Sequence, residues 1–258
     1  MEITCLLENT SSRPDILPEH GLSILIKTNS HSILFDMGQT DLFAQNAKRL
    51  GVDLATVDLA ILSHGHYDHG GGLSTFLSLN PKAPVYVSRH AFGDYYNGTE
   101  KYIGLDLSLR SHPRLRFTED EQILDLGLTL YSCNQLPRPN SFGSFGLTQK
   151  TADGFCDDPF LHEQYLLIEE DGKRVLISGC SHKGILDIAE WFHPDVLIGG
   201  FHFSKMPLDQ PLERAAKQLN EKKTAYYTCH CTGEAQYGFM KQYMKDLHYL
   251  SSGQTILL

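Results

Sequence analysis

Long hydrophobic runs and clusters of positive charge are both missing from this sequence. No apolar segment approaches the roughly 20 residues that a transmembrane helix needs, and residues 1–5 lack the basic start of a signal peptide. Lysine and arginine are scattered, and the formal net charge is −9. Because nucleic acids and anionic membranes bind clustered cations, we expect neither as a partner. We expect a small molecule instead, and no pattern indicates an oligomeric state.

Cysteine is also sparse. Six cysteines are dispersed over 258 residues, whereas disulfide-stabilised domains are short and dense in cysteine. Two of the six, Cys180 and Cys229, lie close to histidines that are candidate metal ligands. The pattern therefore indicates reduced thiols, which are typical of a cytoplasmic protein.

The length and an apolar fraction of 41% allow a sizeable core, in one large α/β domain or two small ones. Apolar periodicity predicts strands and helices that alternate along the chain. The predicted strands cover residues 3–7, 22–27, 32–36, 57–63, 84–88, 165–169, 175–178, 196–198, 224–228 and 255–258. The predicted helices cover residues 41–50, 73–79, 184–192, 211–220 and 234–247. We predict a single domain over residues 1–258, with helices outside two packed sheets, an αββα sandwich.

Residues 90–163 show poor periodicity and are rich in glycine, proline, serine and asparagine. A structureless segment of that length inside a compact domain is unusual unless it is functional. We therefore predict an irregular insert that covers the active site, with short strands near residues 115–117 and 128–132.

Four residues of metal-ligand type follow the apolar run at 57–63, namely His64, His66, Asp68 and His69. Such a run is typical of a buried strand, and open α/β sheets bind their ligands at the carboxyl ends of strands. Neutral imidazole and carboxylate suit Zn²⁺, Mn²⁺ or Fe²⁺. The spacing predicts two sets of ligands for two cations. A polar loop whose histidines cap backbone groups is the alternative.

Three later predicted strands each end at a loop that contains a histidine, His182, His202 or His230. Two metals need about two protein ligands beyond the four motif residues, if a position is left for water. We predict His182 and His230 as these ligands and His202 as a contact to substrate or to a ligand, with a structural role as the alternative for each. Strand alternation places Cys229 and Cys231 opposite His230, which predicts buried thiols that bind no metal.

The segment His64-Gly65-His66-Tyr67-Asp68-His69 resembles the HxHxDH signature of the metallo-β-lactamase superfamily. Further segments resemble one branch of it, the archaeal dihydropterin synthase-like proteins of methanopterin biosynthesis and their bacterial relatives, usually labelled metal-dependent hydrolases. These segments are residues 19–23, 34–38, 178–182, 199–202 and 230–233. The resemblance implies the αββα fold and two divalent metal ions, zinc, with manganese or iron as alternatives. It adds His20 to His202 as a substrate-binding candidate.

The sequence departs from the family pattern at two places. In the wider superfamily an aspartate in a Gly-Asp turn bridges the metals, and this chain has Cys180 at that position, with His182 just beyond it. We expect His182 to replace the missing ligand. The branch also tends to carry an acidic residue before Glu-Gln, where this chain has His162.

The leading hypothesis is a hydrolase that attacks an ester, amide or phosphoester of a small molecule with water. Two divalent cations lower the pKa of a shared water from about 15.7 toward neutrality. We predict that His64, His66 and His182 hold one ion, that Asp68, His69 and His230 hold the other, and that Asp68 orients the water. Asp36 either holds a ligand imidazole or is a structural turn residue.

A transferase that condenses a pterin diphosphate with an aryl amine is the alternative that the archaeal relatives imply. A di-iron oxidoreductase is a third reading, but that branch carries glutamate at the second motif position, where this chain has His66, and usually a flavin domain. An RNA-processing nuclease needs a basic groove or an added domain, and the sequence shows neither.

Overall fold

The computed structural model describes residues 1–258, which divide into two compact units. Unit 1 consists of Met1–Glu119, Gly146–Gln164 and Ser251–Leu258, and unit 2 of Asp120–Phe145 and Tyr165–Leu250. The prediction of a single domain stays a prediction. No helix in the structure is both long enough and apolar enough to cross a membrane.

The chain contains eighteen strands and six α-helices. The strands are β1 (Glu2–Leu7), β2 (Ser23–Lys27), β3 (Ser32–Phe35), β4 (Leu59–Ile61), β5 (Val85–Ser88), β6 (Tyr95–Asn97), β7 (Lys101–Tyr102), β8 (Leu115–Thr118), β9 (Glu121–Asp125), β10 (Leu128–Tyr131), β11 (Leu147–Thr151), β12 (Gly154–Asp157), β13 (Tyr165–Glu170), β14 (Lys173–Ile177), β15 (Val196–Gly199), β16 (Ala225–Thr228), β17 (Leu247–Tyr249) and β18 (Thr255–Leu257). The α-helices are α1 (Leu42–Arg49), α2 (Tyr67–Gly70), α3 (Leu73–Leu79), α4 (Ile185–Phe192), α5 (Gln210–Asn220) and α6 (Glu234–Met240). Short 3₁₀ helices cover Leu54–Thr56, Leu107–Ser111 and His230–Thr232.

Unit 1 contains a seven-stranded mixed sheet in the order β18-β1-β2-β3-β4-β5-β8. β18, β1, β2 and β3 pair antiparallel, and β3, β4, β5 and β8 run parallel. α1 lies between β3 and β4, and α3 lies between β4 and β5; the apolar faces of both helices belong to the same core as the strands. The Thr40 hydroxyl accepts a hydrogen bond from the N–H of Leu42, the first residue of α1, at 3.1 Å. This arrangement brings the ends of β3 and β4 side by side.

Unit 2 contains the second seven-stranded sheet, in the order β17-β16-β15-β14-β13-β10-β9. β14, β15, β16 and β17 are parallel, and the helices α4, α5 and α6 that connect them share one core with these strands. The loops that follow β14, β15 and β16 carry the histidines singled out from the sequence. Parallel strands end at the same edge of a sheet, so these three loops are neighbours.

The predicted helix at 234–247 is too long, because α6 ends at Met240 and the chain re-enters the sheet as β17. Met240, Met244 and Leu247 have helical spacing and are all buried in the unit 2 core. That spacing fits a helix followed by a turn and a strand equally well, because all three residues still reach the same core.

Residues 90–163 are more regular than the sequence indicates. Two strands were predicted there, and β8 and β10 confirm them. Five further short strands are present, and four strands form a small sheet in unit 1, in the order β12-β11-β6-β7. β11 and β12 are largely exposed on both faces, so the apolar alternation that reveals a half-buried strand is missing from them.

Candidate metal centre

The predicted metal-binding loop of unit 1 follows β4 and turns directly into α2, which contains Asp68 and His69. The turn is close-packed at Gly65, where a Cβ atom would lie 2.2 Å from the Ala91 carbonyl oxygen. Only glycine fits this position without moving the backbone. The loop therefore packs closely against the Ala91 backbone at this position.

A buried carboxylate at the end of β3 organises the histidines. Asp36 accepts hydrogen bonds from the Ser63 N–H at 2.7 Å, from the Ser63 hydroxyl at 2.7 Å and from His69 Nδ1 at 2.6 Å. The Ser63 hydroxyl oxygen lies 2.8 Å from His64 Nδ1. Because that hydroxyl donates to Asp36, its oxygen accepts a hydrogen bond from the Nδ1–H group of His64. Asp36 thus holds the His69 imidazole, one of the two roles that the sequence left open.

These contacts assign the tautomer of two imidazoles. His64 and His69 each carry a proton on Nδ1, so the lone pair of each ring lies on Nε2. A carboxylate or hydroxyl behind the ring is the usual support for a metal-binding histidine. The donor set therefore fits a divalent cation.

The other predicted residues of unit 1 lie around these two rings. The His64 ring centre is 4.6 Å from that of His66 and 4.1 Å from that of His69. Asp68 Oδ2 lies 3.9 Å from His69 Nε2 and 3.2 Å from Nε2 of His20, whose side chain is exposed. The structure thus brings together all five predicted residues of this unit.

His66 is buried, and burial lowers the pKa of its imidazole, although Asp158 and Asp68 act in the opposite direction. Because the pKa is lowered, the ring stays in its neutral form down to a lower pH than an ordinary histidine does. Neutral imidazole is the form that binds metal ions. This environment therefore agrees with the predicted role of His66.

Two residues that were not predicted for the site from sequence also contact the loop. His162 Nδ1 accepts a hydrogen bond from the Gly65 N–H at 3.0 Å, and His162 Nε2 lies 3.0 Å from Asp158 Oδ2. Burial acts to raise the pKa of Asp158, but its charge interactions and hydrogen bonds with His162 and His66 hold that pKa well below its ordinary value. The departure from the branch pattern at His162 is the sequence signal that could have pointed to this pair.

Unit 2 brings its own predicted residues together. The metal-ligand atoms of Cys180, His182 and His202 lie within 4.8 Å of one another, and so do those of Cys180, His230 and Cys231. The His182 and His202 ring centres are 4.2 Å apart. His202 and His230 have positive φ angles of 57° and 49°, so the chain turns sharply after β15 and at the end of β16.

The prediction that Cys231 lies on the side opposite His230 is wrong. The chain leaves the extended conformation after Cys229 and enters a 3₁₀ helix over His230–Thr232, so the alternation of a strand no longer applies. Burial raises the pKa of the Cys231 thiol, but hydrogen bonds with Cys180 and His202 and the charges of His230 and His202 bring it well below its ordinary value. A lowered pKa favours the thiolate, which is the metal-binding form of cysteine.

All six thiols should react with a thiol reagent in denaturant without any reductant, because no disulfide joins two cysteines in the structure. The measurement is a colorimetric titration of the unfolded protein. The same sample after reduction and desalting serves as the control and should give the same count. A count that rises by two after reduction would reveal a disulfide and contradict this prediction.

Imidazoles, carboxylates and thiols gathered at strand ends define a metal-binding α/β protein. The chain belongs to the metallo-beta-lactamase superfamily, whose sequence model matches residues 16–227. The matched range includes the motif loop, His182 and His202, and it ends before His230.

Two related proteins and one solved structure show which branch of the superfamily this chain resembles. An uncharacterised protein of Methanocaldococcus jannaschii is 30% identical over 247 residues, which is 90% of each chain. The 7,8-dihydropterin-6-methyl-4-(beta-D-ribofuranosyl)-aminobenzene-5'-phosphate synthase of the same organism is 26% identical over 268 residues, covering 92% of this chain and 90% of its own. The crystal structure of a metal-dependent hydrolase of the beta-lactamase superfamily is 30% identical, with a TM-score of 0.85 over 100% of this chain and 99% of its own. The predicted fold and branch are confirmed.

Proposed function

We propose that this protein is a metal-dependent hydrolase that acts on a small-molecule ester, amide or phosphoester. The observation that carries the proposal is the support of His64 and His69 through Nδ1 by Ser63 and Asp36. The solved relative at 30% identity, described as a metal-dependent hydrolase, supports the same reading. The net charge of −9 and the dispersed cysteines support a cytoplasmic location and a small molecule, with neither nucleic acid nor membrane, as partner.

The proposed ligands of two divalent ions are those predicted from the sequence, with His64, His66 and His182 for one ion and Asp68, His69 and His230 for the other. Zinc suits imidazole and carboxylate ligands, and manganese and iron are the alternatives. Ions bound by these groups supply Lewis-acid activation of water and of the substrate.

The side chains of the chain itself orient the reactants. Asp68 presents Oδ2 as a hydrogen-bond acceptor that aims a water molecule at the substrate and takes up its proton. His20 lies 3.2 Å from that oxygen and is exposed, so it can contact both Asp68 and a substrate. His202 is the second proposed substrate contact.

Protein purified without chelator and reconstituted with Zn²⁺ should approach two ions per chain. His69→Ala should lose one of them, because it removes a proposed ligand that Asp36 supports at 2.6 Å. The measurement is elemental analysis after desalting. His248→Ala is the matched control, since His248 is exposed on β17 and is not one of the proposed ligands, and it should keep the wild-type content. One ion or none in the reconstituted wild-type protein would contradict the assignment.

A substrate screen tests the reaction itself. The metal-loaded protein should hydrolyse members of one class among phosphoesters, thioesters, lactones and amides. The second candidate function, condensation of a pterin diphosphate with an aryl amine, is favoured by the 26% identity to the archaeal synthase. This transferase function predicts that diphosphate is released only when both the pterin and the amine are present. Release under that condition alone, with no hydrolysis in the screen, would replace the hydrolase proposal.

A further inference from the structure

The segment that follows β10 in unit 2, residues 133–145, contacts two of the histidine loops, and we call it the strap. Asn140 donates two hydrogen bonds to the buried carboxylate of Asp187 in the first turn of α4, from its backbone N–H at 3.1 Å and from its side-chain amide at 2.7 Å. A Cβ atom on Gly184, in the loop that carries His182, would lie 3.5 Å from the Asn140 carbonyl oxygen. The strap is therefore attached to the start of α4 and packs against this loop.

The end of the strap is held against the loop after β15, which carries His202. The Phe142 ring centre lies 5.1 Å from that of Phe203 in an edge-to-face contact, and Phe203 is buried in the core of unit 2. The Lys205 ammonium donates a hydrogen bond to the Phe145 carbonyl oxygen at 2.9 Å. One apolar contact and one polar contact thus keep the last residue of the strap beside this loop.

Phe145 and His202 form an aromatic corner. Their ring centres are 5.3 Å apart and their planes meet at 67°, the edge-to-face arrangement that aromatic rings prefer. Both side chains are only partly buried, so part of each ring stays open to a ligand. The His202 ring centre is also 4.2 Å from that of His182, a proposed metal ligand. In the proposed function the corner therefore borders the reacting part of the substrate.

One polar atom of the corner is suited to a ligand. Nδ1 of His202 is buried and has no hydrogen-bond partner in the protein. Buried polar atoms are normally paired, and a bound ligand is one source of the hydrogen bond. Apolar and aromatic walls with a few polar atoms are the usual lining of a small-molecule site. The corner has this composition, with Phe145 as the apolar wall and His202 as the polar group.

We propose that Phe145 is a specificity-determining residue, which selects substrates that carry an aromatic group next to the bond that is cleaved. This inference rests on the proposed function. The aromatic group packs against the Phe145 ring, and a polar atom of the substrate pairs with Nδ1 of His202. Contacts between aromatic rings contribute more than the burial of their apolar area alone, so this corner favours an aromatic group over an aliphatic one. Because the strap is already attached to α4 and to the loop after β15, little ordering opposes binding.

Two phosphonates that differ only in their organic group test this proposal. Phenylphosphonate and methylphosphonate carry the same metal-binding group, and water does not displace their carbon substituent as it displaces the alcohol of an ester. Isothermal titration calorimetry of the zinc-loaded protein should show that phenylphosphonate binds about 10-fold more tightly or better. Phe145→Ala should reduce this preference about 3–10-fold and leave the affinity for methylphosphonate unchanged. Phe145→Tyr keeps the ring and should keep the preference.

Phe155→Ala is the matched control, because Phe155 is a 40% exposed phenylalanine on β12 in unit 1. It should keep the wild-type affinity for both phosphonates. Equal binding of the two probes by the wild-type protein, or no binding of either, overturns the proposal, and this reading needs no variant to fold. A folded Phe145→Ala protein that keeps the full preference overturns it as well. Failure of the hydrolase proposal is read separately, from the substrate screen, because calorimetry does not depend on turnover.

Discussion

Replacement of Asp68 by asparagine should lower turnover by about 10²–10⁴-fold. Asparagine keeps the size and one oxygen of the side chain, but it removes the charge that, in the proposed reaction, accepts a proton from water. The lost interaction acts mainly in the transition state, so kcat should fall more than KM rises. The measurement is steady-state kinetics of the metal-loaded variant with the substrate that the screen supplies, together with its metal content.

His202→Ala separates this effect from a loss of substrate binding. If His202 contacts substrate, the variant should mainly raise KM and leave kcat close to the wild-type value. Turnover of Asp68→Asn at the wild-type rate with both metals bound would show that Asp68 does not activate water.

Replacement of Gly199 by alanine should destabilise the protein by about 4 kcal/mol or more, which is at the extreme of single substitutions. Gly199 ends β15 with φ at +139°, a conformation that is essentially restricted to glycine. An added Cβ atom would lie 1.8 Å from the Ser178 carbonyl oxygen. The contact is with the backbone, so relief requires β14 and β15 to separate where the Ser178 N–H donates to the Ile198 carbonyl oxygen. The measurement is urea unfolding.

Gly172→Ala is the matched control for this steric argument. Gly172 also has a positive φ angle, +74°, but nothing lies within 4 Å of an added Cβ atom. Its cost should be limited to the backbone conformation, about 1 kcal/mol. Equal losses of stability at the two positions would mean that crowding at Ser178 is not the cause.

The local parts of the fold could be predicted from sequence. The bounds of α3, Leu73–Leu79, agree with the prediction because a glycine stretch precedes the helix and Asn80-Pro81 follows it. The motif loop was found because its ligand-type residues are clustered in the sequence. Its neighbour Asp36 could only be suspected, since the contact with Ser63 depends on the parallel pairing of β3 and β4.

The contacts that were missed join distant parts of the chain or depend on one backbone angle. His162 touches Gly65 across 97 residues, and no periodicity relates two such positions. Cys231 approaches His230 and Cys180 because φ of His230 is +49°, so the extended conformation that alternation assumes ends at Cys229. Sequence patterns report burial and period, whereas these contacts depend on tertiary pairing and on single dihedral angles.

The pairing of β18 with β1 has a consequence for the order of folding. Thr4 and Thr255 share a side-chain hydrogen bond across 251 residues, so β1 gains this neighbour only when residue 255 has been synthesised. Contacts this distant along the chain slow folding, because the loop must close before they contribute. Until residue 255 has been synthesised, the outer edge of β1 therefore carries unpaired backbone groups, and such edges recruit other chains. The nascent chain should be most prone to aggregation while this edge is open, and chaperone contact should be concentrated there.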